Sequence, residues 1–121
     1  MATEPMCPRY EKAVEILSKK WTGLLLRQLM QGPQRFTDFR TAIPALSDRL
    51  LSQRLKDLEA EGIINRVVID SMPVQIRYEL TDKGRALAPV VEAIQGWAEE
   101  WCCRPGSRAL GRRIEGCEER A

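Results

Sequence analysis

This chain of 121 residues contains no histidine. Ser-His-Asp and Cys-His nucleophiles are thereby excluded, as are most mixed zinc sites. Its four cysteines, Cys7, Cys102, Cys103 and Cys117, include no CxxC pair. A metal site built from them would draw ligands from both ends of the chain without a clamp, so none is expected. No apolar run approaches the ~20 residues needed to cross a bilayer. The opening MATEPMCPRYEK lacks the apolar core of a secretory signal. The expectation is a cytoplasmic protein, away from membranes, that is not an enzyme and carries no cofactor. In that compartment thiols stay reduced, and a structural disulfide framework is not expected.

A large excess of one charge is also missing. The net charge is +2; residues 1–103 hold 14 basic and 14 acidic side chains, and 104–121 hold five Arg against three Glu. Any electrostatic footprint for nucleic acid must therefore be a patch. Such a patch exists: residues 19–56 carry eight basic side chains against only Asp38 and Asp48. A hydrophobic share of 44% with 30% charged residues describes one soluble globular domain.

Helical periodicity dominates the chain. Cys7-Pro8 opens a first helix, because Pro favours the first helical position and leaves Cys7 as N-cap. Tyr10, Ala13, Val14 and Leu17 form its apolar stripe. A second helix is predicted from about Trp21 to Gln31, with Trp21, Leu24, Leu25 and Leu29 inward, stopped by Gly32-Pro33. Phe36 is expected in a very short strand, and Thr37 as cap of a third helix whose Phe39 and Ile43 face the core. Pro44 ends that helix. Ser47 then caps a fourth, which runs to about Glu61 and stops at Gly62. Ile63–Ile69 is β-rich; Val74, Ile76, Tyr78 and Leu80 alternate with Gln75, Arg77 and Glu79, and Asp70–Pro73 makes the tip between them. Thr81 is expected to cap one long last helix reaching Trp101. The tail from residue 104 is polar and rich in Gly and Arg, with a composition suited to partial disorder.

Helix, break, helix and β-hairpin in this order describe a winged helix-turn-helix: mainly α with a small hairpin, an α+β fold. The fourth helix carries two faces. Leu51, Leu55 and Leu58 recur at i, i+4 and i+7 and pack inward. Arg49, Ser52, Gln53 and Lys56 point outward, with groups that suit base edges and phosphates in a major groove. Arg49, Ser52 and Gln53 lie early on the helix, where bases are read; Lys56 and the hairpin's Arg66 and Arg77 suit phosphates. The expected partner is double-stranded DNA.

The last helix is apolar beyond the needs of this core. Leu24, Leu25, Leu29, Phe39, Leu51, Leu55 and Leu58 already fill a small domain, yet Leu87, Val90, Val91, Ile94, Trp97, Ala98 and Trp101 form another stripe. A second surface is required to bury it. A two-fold homodimer through Tyr10, Val14, Ile94, Trp97 and Trp101 supplies one, with recognition helices roughly 34 Å apart on one DNA face. Cys7 at a helix N-cap faces unpaired N–H groups and the positive end of the helix, with Arg9 nearby. Reactive cysteines occupy such environments, although a lone cytoplasmic cysteine is more often a small apolar filler.

Four stretches, MCP, KKWTGLLLRQLMQGPQRF, LSDRLLSQRLKDLEAEGII and YELTDKGRAL, together resemble the HxlR-type winged-helix transcription regulators over Cys7 to Cys102. That resemblance implies homodimers on inverted-repeat operators. One branch of the family senses quinones and other electrophiles or oxidants through a cysteine near the N-terminus. Cys7 stands at the matching place, Cys102 resembles the partner position in that branch, and Cys103 is an extra thiol beside it. The expected organisation is residues 1–103 as DNA-binding and dimerisation domain and 104–121 as a flexible tail. The expected function is a transcriptional regulator, a repressor, switched by oxidation or alkylation of Cys7. Two alternatives stay open: a small apolar effector bound between the dimer helices, and a winged-helix protein-interaction module.

Overall fold

The computed structural model describes residues 7–102, which form six helices and three strands. They divide into two compact units, separated between Ala86 and Leu87. The expectations for Cys103, Cys117 and the tail lie outside the described residues.

In the first unit α1 (Pro8–Leu17), α2 (Thr22–Leu29), α3 (Phe36–Ala42) and α4 (Asp48–Ala60) accompany a three-stranded antiparallel sheet. Its strands β1 (Gln34–Arg35), β2 (Ile64–Ile69) and β3 (Gln75–Leu80) lie in the order β1-β3-β2. This is the expected α+β winged helix, with one strand more than a bare hairpin. Leu25, Leu26, Leu29, Phe39, Leu51, Leu55, Leu58, Ile63, Ile64 and Leu80 are buried and form the core. Phe39 meets Tyr78 edge to face at 6.2 Å, which joins α3 to the sheet. Gln34 can be buried because its amide donates to the Gly32 carbonyl at 3.0 Å and accepts from Gln28 at 2.9 Å.

Three expectations need correction here. Leu24 is 47% exposed, and Leu26, fully buried, takes its place in the core. Trp21 stays outside α2 in a left-handed conformation at φ 77°, so the helix begins at Thr22. The buried stripe becomes Thr22, Leu25, Leu26 and Leu29, which turns Leu24 outward. Phe36 is the first residue of α3 and not part of the strand; Arg35 is the N-cap, and Asp38 accepts its N–H at 2.8 Å. Thr37 therefore lies inside the first turn.

The last helix is in fact two. Thr81 caps a short α5 (Asp82–Arg85), accepting the Gly84 N–H at 3.1 Å. The second unit then starts with a new helix, α6 (Ala88–Trp101). Pro89 explains the break: it has no N–H for the Arg85 carbonyl, and its ring would collide with that carbonyl in a continuous helix.

Thr81 and Gly84 fasten the end of β3 to the end of α4. Gly62, at φ 75°, ends α4 in a conformation that favours glycine. The Thr81 hydroxyl donates to the Gly62 carbonyl at 2.6 Å, and the Thr81 N–H donates to the Ile63 carbonyl at 2.9 Å. Gly84 is pressed so close that a Cβ there would stand 2.2 Å from the Ile63 oxygen and 2.9 Å from Leu80 Cδ2. Gly84→Ala must displace backbone, and the expected loss is about 1–3 kcal/mol. A lowered urea midpoint with unchanged slope checks it; an unaltered midpoint refutes the packing account.

Candidate nucleic-acid interface and thiol site

Burial fixes the rotation of α4 about its axis. With Leu51, Leu55 and Leu58 inward, Arg49, Gln53 and Lys56 are exposed and Ser52 is half-buried on the opposite side. Ser47 caps the helix as expected, accepting the Leu50 N–H at 3.2 Å. Arg49 lies three and four residues before Ser52 and Gln53, and Lys56 four and three after them, so the four make one continuous row. Gln53 is not loose in that row. Its amide donates to Asp57 Oδ1 at 3.0 Å, which leaves the amide oxygen and one N–H free for an adenine edge.

Two residues that pattern reading passed over hold the flank of this helix. Arg54 donates from Nε to the Lys20 carbonyl at 2.9 Å and from Nη1 to Asp57 Oδ2 at 3.2 Å. Lys19 lies 3.6 Å from the same oxygen. Part of the basic patch is thus occupied within the protein, anchoring α4 to the loop after α1. Asp57 stands one residue beyond the stretch whose charges made that patch visible. Arg40 is paired as well, its Nε 2.9 Å from Asp48 Oδ1.

The wing separates two residues that the sequence had grouped. In the β2–β3 register Arg66 stands opposite Tyr78, whereas Arg77 stands opposite Val67. Neighbouring positions point to opposite faces, so Arg66 and Arg77 lie on different faces of the hairpin. Arg66 is exposed. Arg77 is half-buried beside Arg35, its cross-strand neighbour on β1, and its Nε is buried without a hydrogen-bond partner. Arg35 itself donates to Gln75 at 3.1 Å.

Cys7 is the N-cap of α1, as expected. Its carbonyl accepts the Glu11 N–H at 3.0 Å, while the side chain makes no capping bond. The thiol is free and exposed. Cys102 caps the C-terminal end of α6; its N–H donates to the Ala98 carbonyl at 2.8 Å, and its thiol is free and half-buried. The five residues expected at a dimer interface are all exposed: Tyr10 63%, Val14 46%, Ile94 58%, Trp97 63% and Trp101 49%. No residue of α1 or of α6 is buried. The stripe expected along α1 is therefore exposed at Tyr10, Ala13 and Val14 and half-buried only at Leu17.

Comparison with known proteins settles the family. The model for HxlR-like helix-turn-helix proteins matches residues 16–105. The HTH-type transcriptional regulator YvaP of Bacillus subtilis is 55% identical over 84% of this chain and 94% of its own length. YodB, an HTH-type transcriptional regulator of the same organism, is 44% identical over 84% of this chain and 89% of its own. This chain belongs to the HxlR-like helix-turn-helix family. It is a transcriptional regulator of the helix-turn-helix type, and such a regulator binds DNA. In solved structures, the reduced form of YodB superposes with a TM-score of 0.72 at 43% identity, covering 81% of this chain and 96% of that one. YodB has also been solved diamide-treated and quinone-bound. The redox regulator HypR in its oxidized form gives a TM-score of 0.74 at 36% identity, covering 78% of this chain and 96% of that one. Among the described residues no helix is long and apolar enough to cross a membrane.

Asp57 supplies a test of the α4 anchor. Burial pushes its carboxyl up, but the Gln53 amide, Lys19 and Arg54 outweigh this and hold it below the usual carboxylate value. A lowered value means stability that is present at neutral pH and lost as pH falls through the folded-state value. Asp57→Asn should melt a few degrees lower than wild type at pH 7. The gap should close in acid, where both side chains are neutral. A gap that persists at low pH would mean that packing, not charge, holds the anchor.

Proposed function

We propose that this regulator is an operator-specific repressor, acting in the cytoplasm as a homodimer and released from DNA by oxidants or electrophiles that react at Cys7. The observation that carries the proposal is the free, exposed thiol of Cys7 at the start of α1, in a chain 44% identical to a regulator whose quinone-bound and diamide-treated forms are known. Arg49, Ser52 and Gln53 read bases in the major groove; Lys56 and Arg66 hold phosphates, and Arg77 acts from the other face of the wing. The exposed apolar rows of α1 and α6, with Tyr10, Val14, Ile94, Trp97 and Trp101, support assembly of two copies.

In the reduced dimer both recognition helices sit at operator spacing. A quinone adds to the Cys7 sulfur, forming one S–C bond while the thiol proton passes to the quinone oxygen. An oxidant such as diamide instead takes two electrons and two protons from Cys7 and Cys102 of the partner subunit, which join as a disulfide. Cys103 is the alternative partner. Either product alters the start of α1, and a coupling of about 3 kcal/mol would release operator roughly 150-fold.

A second reading has one observation in its favour. Pro89, Val90, Ala93, Ile94 and Trp97 line an apolar surface groove of about 520 Å³ on α6, which suits a small apolar effector. The two readings divide on Cys7→Ser. In gel shifts on the promoter region next to its own gene, this variant should bind like wild type and stay bound after quinone or diamide. On a non-reducing gel, diamide should give wild type a covalent dimer that Cys7→Ser lacks. Release of Cys7→Ser by quinone would refute thiol sensing and favour the apolar effector.

Base reading is tested separately. Arg49→Ala or Gln53→Ala should cost about 1–3 kcal/mol on the operator and relax selection at one position in each half-site. Lys56→Ala should weaken all DNA alike and flatten the salt dependence by about one. Unchanged operator selectivity in Arg49→Ala would remove that residue from the interface.

A further inference from the structure

The side of α3 that faces away from the core is exposed. Thr37, Arg40 and Thr41 recur at i, i+3 and i+4 and are all exposed, while Phe39 and Ile43 point into the core. They line the α3 side of an open groove of about 440 Å³, whose lining also includes Pro44, Ser47 and Asp48. Asp48 directly precedes Arg49 and lies one helical turn before Ser52, so the groove opens at the start of the outward row of α4. It is continuous with the proposed DNA face. In a helix-turn-helix bound to DNA, the helix before the recognition helix crosses the phosphate backbone.

The chemistry of the groove suits a phosphodiester. Arg40 brings a forked donor, and Ser47, although it accepts the Leu50 N–H, keeps its hydroxyl proton to donate. Thr37 and Thr41 add hydroxyls on the α3 side; the Thr41 hydroxyl donates to the Thr37 carbonyl at 3.0 Å. One feature opposes an anion. Asp48 holds Arg40 at 2.9 Å, so the groove carries its own counter-ion and no net charge.

We infer that this groove is a backbone-phosphate clamp for the operator's flank, and that Asp48 is a built-in competitor that limits its grip. Binding exchanges an internal ion pair for a phosphate pair and leaves a carboxylate facing DNA. Arg40 therefore contributes less to affinity than a free cation would. Because every phosphate is alike, the effect is independent of base sequence. The inference rests on the DNA-binding reading above and deepens it.

The test uses the full-length protein with Arg40→Ala and Asp48→Asn, and two labelled duplexes. One carries the promoter region next to its own gene; the other has random sequence. The two substitutions should act in opposite directions. Arg40→Ala should weaken both duplexes by about threefold at moderate salt, since a phosphate contact already weakened by Asp48 is lost. Asp48→Asn should tighten both about fivefold, because a carboxylate close to phosphate repels it. It should also steepen the salt dependence by about one, since the freed Arg40 now releases a counter-ion. An exposed pair of this kind adds little to folding, so both variants should melt close to wild type. If the pair only latches α3 to α4, both substitutions weaken binding and lower the melting temperature, which overturns the clamp. No change in either variant overturns it too, with wild-type binding intact. A wild type that binds neither duplex in a salt-dependent way would instead refute the DNA-binding reading itself, and the clamp with it.

Discussion

Rotation of α4 about its own axis is the constraint on which the DNA face depends. A change of one residue in the helix turns every side chain by about 100°. Leu51, Leu55 and Leu58 resist such a slip because each is buried in the core. Replacing any of them in the core with Ser52 or Gln53 would bury a polar group without a partner. The charged flank adds a finer stop. Arg54 reaches the Lys20 carbonyl, and Asp57 collects Arg54, Lys19 and Gln53 on one carboxylate. Apolar burial supplies most of the energy, and the ion pairs supply direction.

The same network changes the meaning of the positive patch. Eight basic residues stand between positions 19 and 56, but Lys19, Arg54 and Arg40 have carboxylate partners within the fold. A formal count thus overstates the field that DNA would meet. Cations that are held in place internally cost the complex less ordering entropy, yet they attract phosphate less strongly at a distance. Internal pairing thus leaves this patch with moderate electrostatics in place of the full formal charge.

Where the sequence was legible, one physical rule acted alone. The Ser47 cap, the Gly62 stop, the Leu stripe of α4 and the extended runs of the wing each follow from local pattern. Cys7 as N-cap follows from the Pro after it. Errors arose where two rules competed. Three consecutive leucines allow two buried arcs on α2, and only the left-handed Trp21 selects the one containing Leu26. The apolar stripe from Leu87 to Trp101 is continuous with the Thr81 cap in pattern, and only Pro89 marks the break between α5 and α6. Arg66 and Arg77 looked equivalent because side-chain direction in a hairpin depends on register, which composition does not encode. Asp48 pairs with Arg40 of another helix, and Asp57 with Lys19 beyond α1 as well as with Arg54 of its own helix, so local spacing shows only part of the network.

The thiol and the recognition helix are joined within one subunit by α1. Cys7 begins that helix, and Lys12, one turn further, lies 3.1 Å from Glu61 at the C-cap of α4. Lys19, just past the end of α1, reaches Asp57 inside α4. Lys83 donates to the Glu61 carbonyl at 2.7 Å and so ties α5 to the same junction. Displacement of α1 by an adduct on Cys7 would therefore pull at the far end of the recognition helix. These pairs lie at the surface, with exposed lysines on half-buried carboxylates, and surface pairs are weak and screened by salt. They can set the direction in which α4 responds, but they are too weak to carry a large change in operator affinity. That energy must come from a larger surface, and among the described residues α1 and α6 each leave an apolar row unburied. If two copies pack through these rows as proposed, a small shift of α1 would exchange one extensive packing arrangement for another, and a strong switch would draw its energy from there.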